Sequence, residues 1–184
     1  METSDILVST NHQKTLLLLI ENSDRSFTEK EIVESTGASK SGVNAALRDL
    51  ERNGLALREK RGRMSFLSVN DSIPLIRELK KVLSLAALLP LVQKLKAVSQ
   101  RIILFGSVAQ GTDTSESDID IFVLSSDKDK AAQRIRAFKT TKEIKSVILT
   151  PVEYATSQNK DKVFYEQVNK GIVLYEKEID EQRL

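Results

Sequence analysis

Residues 102–123 read IILFGSVAQGTDTSESDIDIFV. The apolar run Ile102–Phe105 reads as a short strand that passes straight into Gly106-Ser107, a few small residues and Gly111. A polar loop leads on to Ser117-Asp118-Ile119-Asp120-Ile121-Phe122-Val123, so Gly-Ser is followed, ten residues later, by Asp-x-Asp on a second apolar strand. Side chains alternate along a strand, which puts Asp118 and Asp120 on one face and sends Ile119, Ile121 and Val123 into a core. Two neighbouring carboxylates repel unless a cation sits between them. Oxygen ligands of this kind suit Mg²⁺ or Mn²⁺, and Mg²⁺ commonly takes one or two carboxylates plus substrate phosphates. Two such ions can clamp the attacking and leaving oxygens of a phosphoryl displacement. Gly106 lets the backbone approach a phosphate, and Ser107, opening a short helix, adds a hydroxyl and nearby N–H donors.

Downstream, the pattern continues as a helix over Lys128–Lys139 and a strand over Ile144–Thr150. Thr150-Pro151-Val152-Glu153 has the form of a capping box with proline at the first helical position. Val163, Tyr165 and Val168 suggest a short buried helix face ended by Gly171, with a last strand over Ile172–Tyr175. The charged end, Glu176–Leu184, is expected to fray or stay disordered.

Upstream of residue 72 the chain has a different character. Leu16–Ile20 lie in a first helix. Thr28 with Glu31 is a capping box for a short helix that stops at Gly37, and Ser39 caps a third helix ended by Gly54. Val43, Ala46, Leu47 and Leu50 give that helix one buried face. Leu55–Glu59 and Arg63–Val69 read as a hairpin around Lys60-Arg61-Gly62. Between Lys40 and Arg63 seven basic and three acidic residues give +4, against +2 for all 184 residues. Helix, helix-turn-helix and hairpin in this order suggest a winged helix-turn-helix, with Lys40, Ser41, Asn44, Arg48, Arg58, Lys60, Arg61 and Arg63 as candidate contacts to duplex DNA.

A long apolar helix connects the halves. Ser72 is its expected cap, Pro74 lies in its first turn, and Pro90 is expected to break or restart it. Its face (Leu75, Leu79, Val82, Leu83, Ala86 and Leu89) suits packing between domains or a homodimer seam. The domains expected are 1–71, a winged helix, and 72–184, linking helices with an α/β (α+β) domain on a mixed sheet.

Composition narrows the chemistry. There is no cysteine and one histidine, His12, which removes thiolate chemistry and leaves carboxylates, hydroxyls, Lys/Arg or a bound metal. No basic start is followed by an apolar run, and the stretch Val82–Val92 is too short for a membrane helix. A cytoplasmic protein with no membrane partner is expected.

A segment of about 60 residues in the first half loosely resembles the DNA-binding domains of MarR- and ArsR-type regulators, through Ser39-Lys40-Ser41-Gly42-Val43-Asn44-Ala45-Ala46-Leu47. The second half resembles, more specifically, the minimal nucleotidyltransferase (MNT) domains of the DNA polymerase β-type superfamily. That likeness rests on Leu104–Gly111 and on Gly106-Ser107-x10-Asp118-x-Asp120. It implies transfer of a nucleotidyl group from ATP or another nucleoside triphosphate, with Asp118 and Asp120 holding Mg²⁺ or Mn²⁺ as catalytic and metal residues. Gly106 and Ser107 would hold the β/γ-phosphates.

One branch of that family acts as antitoxins toward HEPN-type proteins, which makes such a protein one implied partner. Two departures stand out. Arginines that many relatives carry after Gly-Ser are Val108 and Gln110 here. The third carboxylate that the family supplies from a later strand is missing from Ile144–Thr150, where Lys145 or Ser146 takes its place. Glu143 is one substitute, and Glu153 is a poorer one because it caps a helix. The rival reading is a DNA-binding transcriptional regulator with a degenerate, nucleotide-sensing domain.

Overall fold

The computed structural model describes residues 9–157 and 161–177, so the charged end lies outside the described residues from residue 178 onwards. The chain divides into two compact units, Met1–Ala87 and Leu88–Leu184.

The first unit opens with α1 (Asn11–Glu21), β1 (Phe27–Thr28), α2 (Glu29–Thr36) and α3 (Lys40–Arg52). Two strands follow, β2 (Ala56–Arg61) and β3 (Met64–Val69). The expected caps form. Thr28 accepts from the Glu31 N–H while the Glu31 carboxylate accepts from the Thr28 N–H at 2.7 Å. Gly37 closes α2 with a left-handed φ of 63°. The Gly42 N–H donates to the Ser39 hydroxyl at 3.1 Å. The four apolar residues of α3 are all buried, against Leu19, Ile32 and Leu67 among others.

The antiparallel sheet has the order β1-β3-β2. Arg61 pairs with Met64, so the turn is Gly62-Arg63 and Lys60 and Arg61 belong to the strand. Gly62, at φ 64°, fits the first central position of a type II′ hairpin turn.

Helix α4 (Pro74–Lys96) corrects one expectation, because it runs unbroken through Pro90. An interior proline removes a helix hydrogen bond at a cost of roughly 3 kcal/mol or more. Pro90 itself is exposed, while Leu88 before it and Leu91, Val92 and Leu95 after it are buried. Packing on both sides therefore carries the helix across the gap. Ser72 spends its hydroxyl on the Asn70 carboxamide oxygen, at 2.6 Å.

The second unit is a mixed four-stranded sheet in the order β6-β5-β4-β7. Its strands are β4 (Ser99–Phe105), β5 (Ile119–Ser125), β6 (Ile144–Leu149) and β7 (Ile172–Glu176). Helices α5 (Gly106–Gln110), α6 (Lys128–Arg136), α7 (Pro151–Ser157) and α8 (Lys162–Asn169) connect them. Strand β4 is antiparallel to β5 and β7, and β5 is parallel to β6. One sheet face carries Ile103, Phe105 and Phe122 against Tyr154, Phe164 and Val168. Phe105 meets Phe164 edge-on at 5.8 Å, a favoured aromatic geometry. The opposite face carries Ile102, Leu104, Ile119, Ile121 and Val123, all buried. Val163 is exposed, so α8 packs through Tyr165 and Val168 alone of the three residues expected to bury. The whole is an α+β protein with two sheets.

Candidate functional site

Four short segments meet where β4 ends and β5 begins. Phe105 pairs with Asp120 across the antiparallel ladder, so the chain leaving β4 turns into Gly106 directly beside Asp120. Gly106 has φ 73°, a region that side chains strain to enter. A Cβ there would also overlap the Asp120 carboxylate. Glycine is thus required twice over, by the turn and by the carboxylate packed against it. Ser107 follows in the first turn of α5, and its carbonyl accepts from the Thr112 N–H at 3.0 Å.

Asp118 sits one residue before β5 and Asp120 within it, on the face that Phe122 and Leu124 continue toward the aromatic cluster. The loop that delivers them is pinned from two sides. Thr114 donates to the Ser117 hydroxyl at 2.9 Å, and largely buried Asp113 forms an ion pair with Lys142.

The neighbouring strand decides the electrostatics. In the parallel pairing of β5 and β6, Asp120 lies opposite Lys145 and Ile121 opposite Ser146. Lys145 is therefore the residue that faces the carboxylates, and Ser146 turns to the other side. The Lys145 ammonium stands 2.5 Å from Asp118 Oδ2. That pairing raises the Lys145 pKa above the ordinary lysine value.

Asp120 is half-buried and makes no hydrogen bond or ion pair among the described residues. Burial pushes its pKa up, Lys145 pulls against that, and Asp118 adds to it. A half-buried carboxylate without a donor, next to a second carboxylate, fits a cation chemically. A divalent ion there would take the two aspartates as its protein ligands, with phosphate and water oxygens completing the shell.

No third acid joins them among the described residues. Among the described residues no group of three His, Cys, Asp or Glu side chains converges to hold a metal. Glu143, the substitute considered from sequence, is exposed, and its carbonyl accepts from the Ile119 N–H at 2.8 Å. Glu153 is spent in the capping box with Thr150 and on Lys128, which together hold its pKa at about 2. Val108 is buried in the core and Gln110 is exposed.

The candidate nucleic-acid residues lie in the first unit. Ser41, Asn44 and Arg48 share one side of α3 and line a shallow depression with Arg58 and Glu29. Three of the seven counted cations already have carboxylate partners, one of them Arg52, 3.7 Å from Asp49. Arg58 forks onto Glu51, with Nη2 at 2.6 Å, and Arg61 holds Glu59 at 2.7 Å while lying over the Phe66 ring. Lys40, Lys60 and Arg63 are exposed and in no ion pair among the described residues. Sequence reasoning missed Glu29 in the depression and the Glu51 fork; the seven-residue separation of Glu51 and Arg58 spans a helix end and a strand, which no periodic pattern flags.

Comparison with known proteins adds one finding. The family model described as "Polymerase beta, Nucleotidyltransferase" matches residues 88–180. No curated protein and no solved structure matches the chain.

Proposed function

The chain belongs to the polymerase beta nucleotidyltransferase family, and from that premise we propose that it transfers a nucleotidyl group from ATP or another nucleoside triphosphate and also binds duplex DNA. The observation that carries the reading is the convergence of Gly106, Asp118 and Asp120 at one end of the two central strands, with the Asp120 carboxylate half-buried and without a hydrogen-bond donor among the described residues. Asp118 and Asp120 would hold a divalent ion, which supplies neutralisation of phosphate charge and polarisation of the α-phosphoryl group. The space beside the Gly106 Cα is taken by the Asp120 carboxylate, so Gly106 serves the turn, and Ser107 next to it would offer its hydroxyl to a phosphate. An acceptor oxygen forms the new bond to the α-phosphorus, the bond to the bridging oxygen breaks, and pyrophosphate leaves. With Lys145 in the place of an acid, the acceptor's proton passes to water, which makes turnover slow. Loss of general-base assistance is typically worth about 10²–10⁴-fold.

The first unit, read as a winged helix, would contact DNA phosphates through Lys40, Lys60 and Arg63, with Ser41, Asn44 and Arg48 toward the bases. Lys145 also favours a second reading, in which the protein is a DNA-binding regulator that retains nucleotide without transferring it. One experiment separates the two: incubation of wild type, Lys145→Asp and Asp120→Asn with α-labelled ATP, Mg²⁺ and candidate protein and RNA acceptors. Transfer by wild type, abolished in Asp120→Asn, supports the enzyme. Nucleotide binding without transfer, with activity appearing only in Lys145→Asp, supports the regulator.

A further inference from the structure

A lysine in register with the second aspartate of a carboxylate pair is not neutral with respect to what that pair can hold. Lys145 lies opposite Asp120 in the β5–β6 ladder and contacts Asp118 at 2.5 Å, while its own side chain remains 62% exposed. The contact is therefore made by a long, flexible arm that water can reach, and the arm can move to another anion without unpacking anything. Asp118, Asp120 and Glu143 are the acids that act on this ammonium. No hydrogen bond ties it to any other group among the described residues.

We propose that Lys145 is a tethered counter-cation of the Asp118–Asp120 pair: it keeps free divalent ions out and yields Asp118 only when a nucleoside triphosphate arrives with the metal. This rests on the reading that the two aspartates receive a metal nucleotide.

The physical reason is charge balance. Two carboxylates and one ammonium leave a net charge of about −1, half of what the bare pair would offer a divalent ion. An ion entering at Asp118 also meets a positive charge a few ångström away, and that repulsion weakens its binding. A triphosphate reverses the balance. Its oxygens accept the ammonium, a role lysine fills as a point charge at phosphate sites, and release Asp118 to the metal.

The test uses the full chain: binding of free Mn²⁺ is followed by loss of its EPR signal, and binding of the preformed Mn²⁺ complex of α,β-methylene ATP, which has no free-ion signal of its own, is followed by calorimetric titration. Without nucleotide, Lys145→Met should bind Mn²⁺ at least about tenfold more tightly than wild type, and Lys145→Arg should behave as wild type. With the nucleotide analogue, the gap between wild type and Lys145→Met should close to within about threefold. Equal Mn²⁺ affinity of wild type and Lys145→Met without nucleotide would overturn the proposal. If Asp118→Asn/Asp120→Asn, introduced into Lys145→Met, leaves Mn²⁺ binding unchanged, the ion is not at this pair and the underlying functional reading fails instead. Absence of Mn²⁺ binding by every variant under both conditions overturns both.

Discussion

At the scale of single residues, Gly106 and Asp120 depend on each other. The left-handed turn at Gly106 brings the end of β4 against the carboxylate, and the space a Cβ would need is taken by that carboxylate. Gly106→Ala should therefore destabilise the second unit by about 1–3 kcal/mol and displace Asp120. Urea denaturation followed by tyrosine fluorescence, together with metal-nucleotide binding, would check this. Loss of binding with unchanged stability would instead mean that the clash is relieved locally by the Asp120 side chain.

The pair Gly-Ser and Asp-x-Asp was legible because each residue's role is local: a turn, a hydroxyl, an alternation. The choice between Lys145 and Ser146 was not. It depends on the register between β5 and β6, and a one-residue slip exchanges the two faces. Only the strand pairing makes Lys145 the residue that meets the aspartates.

At the scale of elements, the caps account for much of where helices begin. Helix α7 is the sharpest case. Thr150 and Glu153 exchange backbone hydrogen bonds, and Lys128 adds an ion pair at 3.0 Å to the same carboxylate. Together they depress the Glu153 pKa from 4.5 to about 2. A carboxylate whose pKa is lowered on folding stabilises the fold above its unfolded pKa, and that stabilisation is lost as pH falls through the folded value. The window here is pH 4.5 down to about 2. Glu153→Gln should be less stable than wild type at pH 6, and the difference should shrink as pH falls through that window, read from urea midpoints at both ends. A gap that stays constant from pH 6 to pH 2 would remove Glu153 from the acid response.

The elements also show where local rules lose to packing. Pro90 signals a helix end, and burial of Leu88, Leu91, Val92 and Leu95 overrides it. Val163 fits the apolar spacing of α8 and nevertheless faces solvent, because Phe164 and Val168 occupy the side that packs on β4 and β5 and Tyr165 packs on Tyr154 of α7.

At the scale of the whole molecule, the two units divide the chemistry. The paired aspartates lie in the second, and the basic segment from Lys40 to Arg63 lies in the first. The sequence count of seven cations overstates what is available for DNA, since Arg52, Arg58 and Arg61 are engaged by Asp49, Glu51 and Glu59. Lys60→Ala/Arg63→Ala should therefore lower the dependence of DNA affinity on salt by close to two phosphate contacts, with a slope change of about 0.9 for each. Arg58→Ala should change it less. Fluorescence anisotropy with a duplex at several salt concentrations measures both, and an unchanged slope in the Lys60/Arg63 variant would take the hairpin off the DNA.

Function turns most directly on whether the carboxylate pair beside Gly106 receives a metal nucleotide. Calorimetric titration of α,β-methylene ATP into the full chain with Mg²⁺ measures this. Wild type should bind, and Asp118→Asn/Asp120→Asn should bind at least about tenfold more weakly, since a ligand set of one or two carboxylates plus phosphates has then lost its protein half. Equal affinity of the two proteins for the Mg²⁺ complex would contradict it.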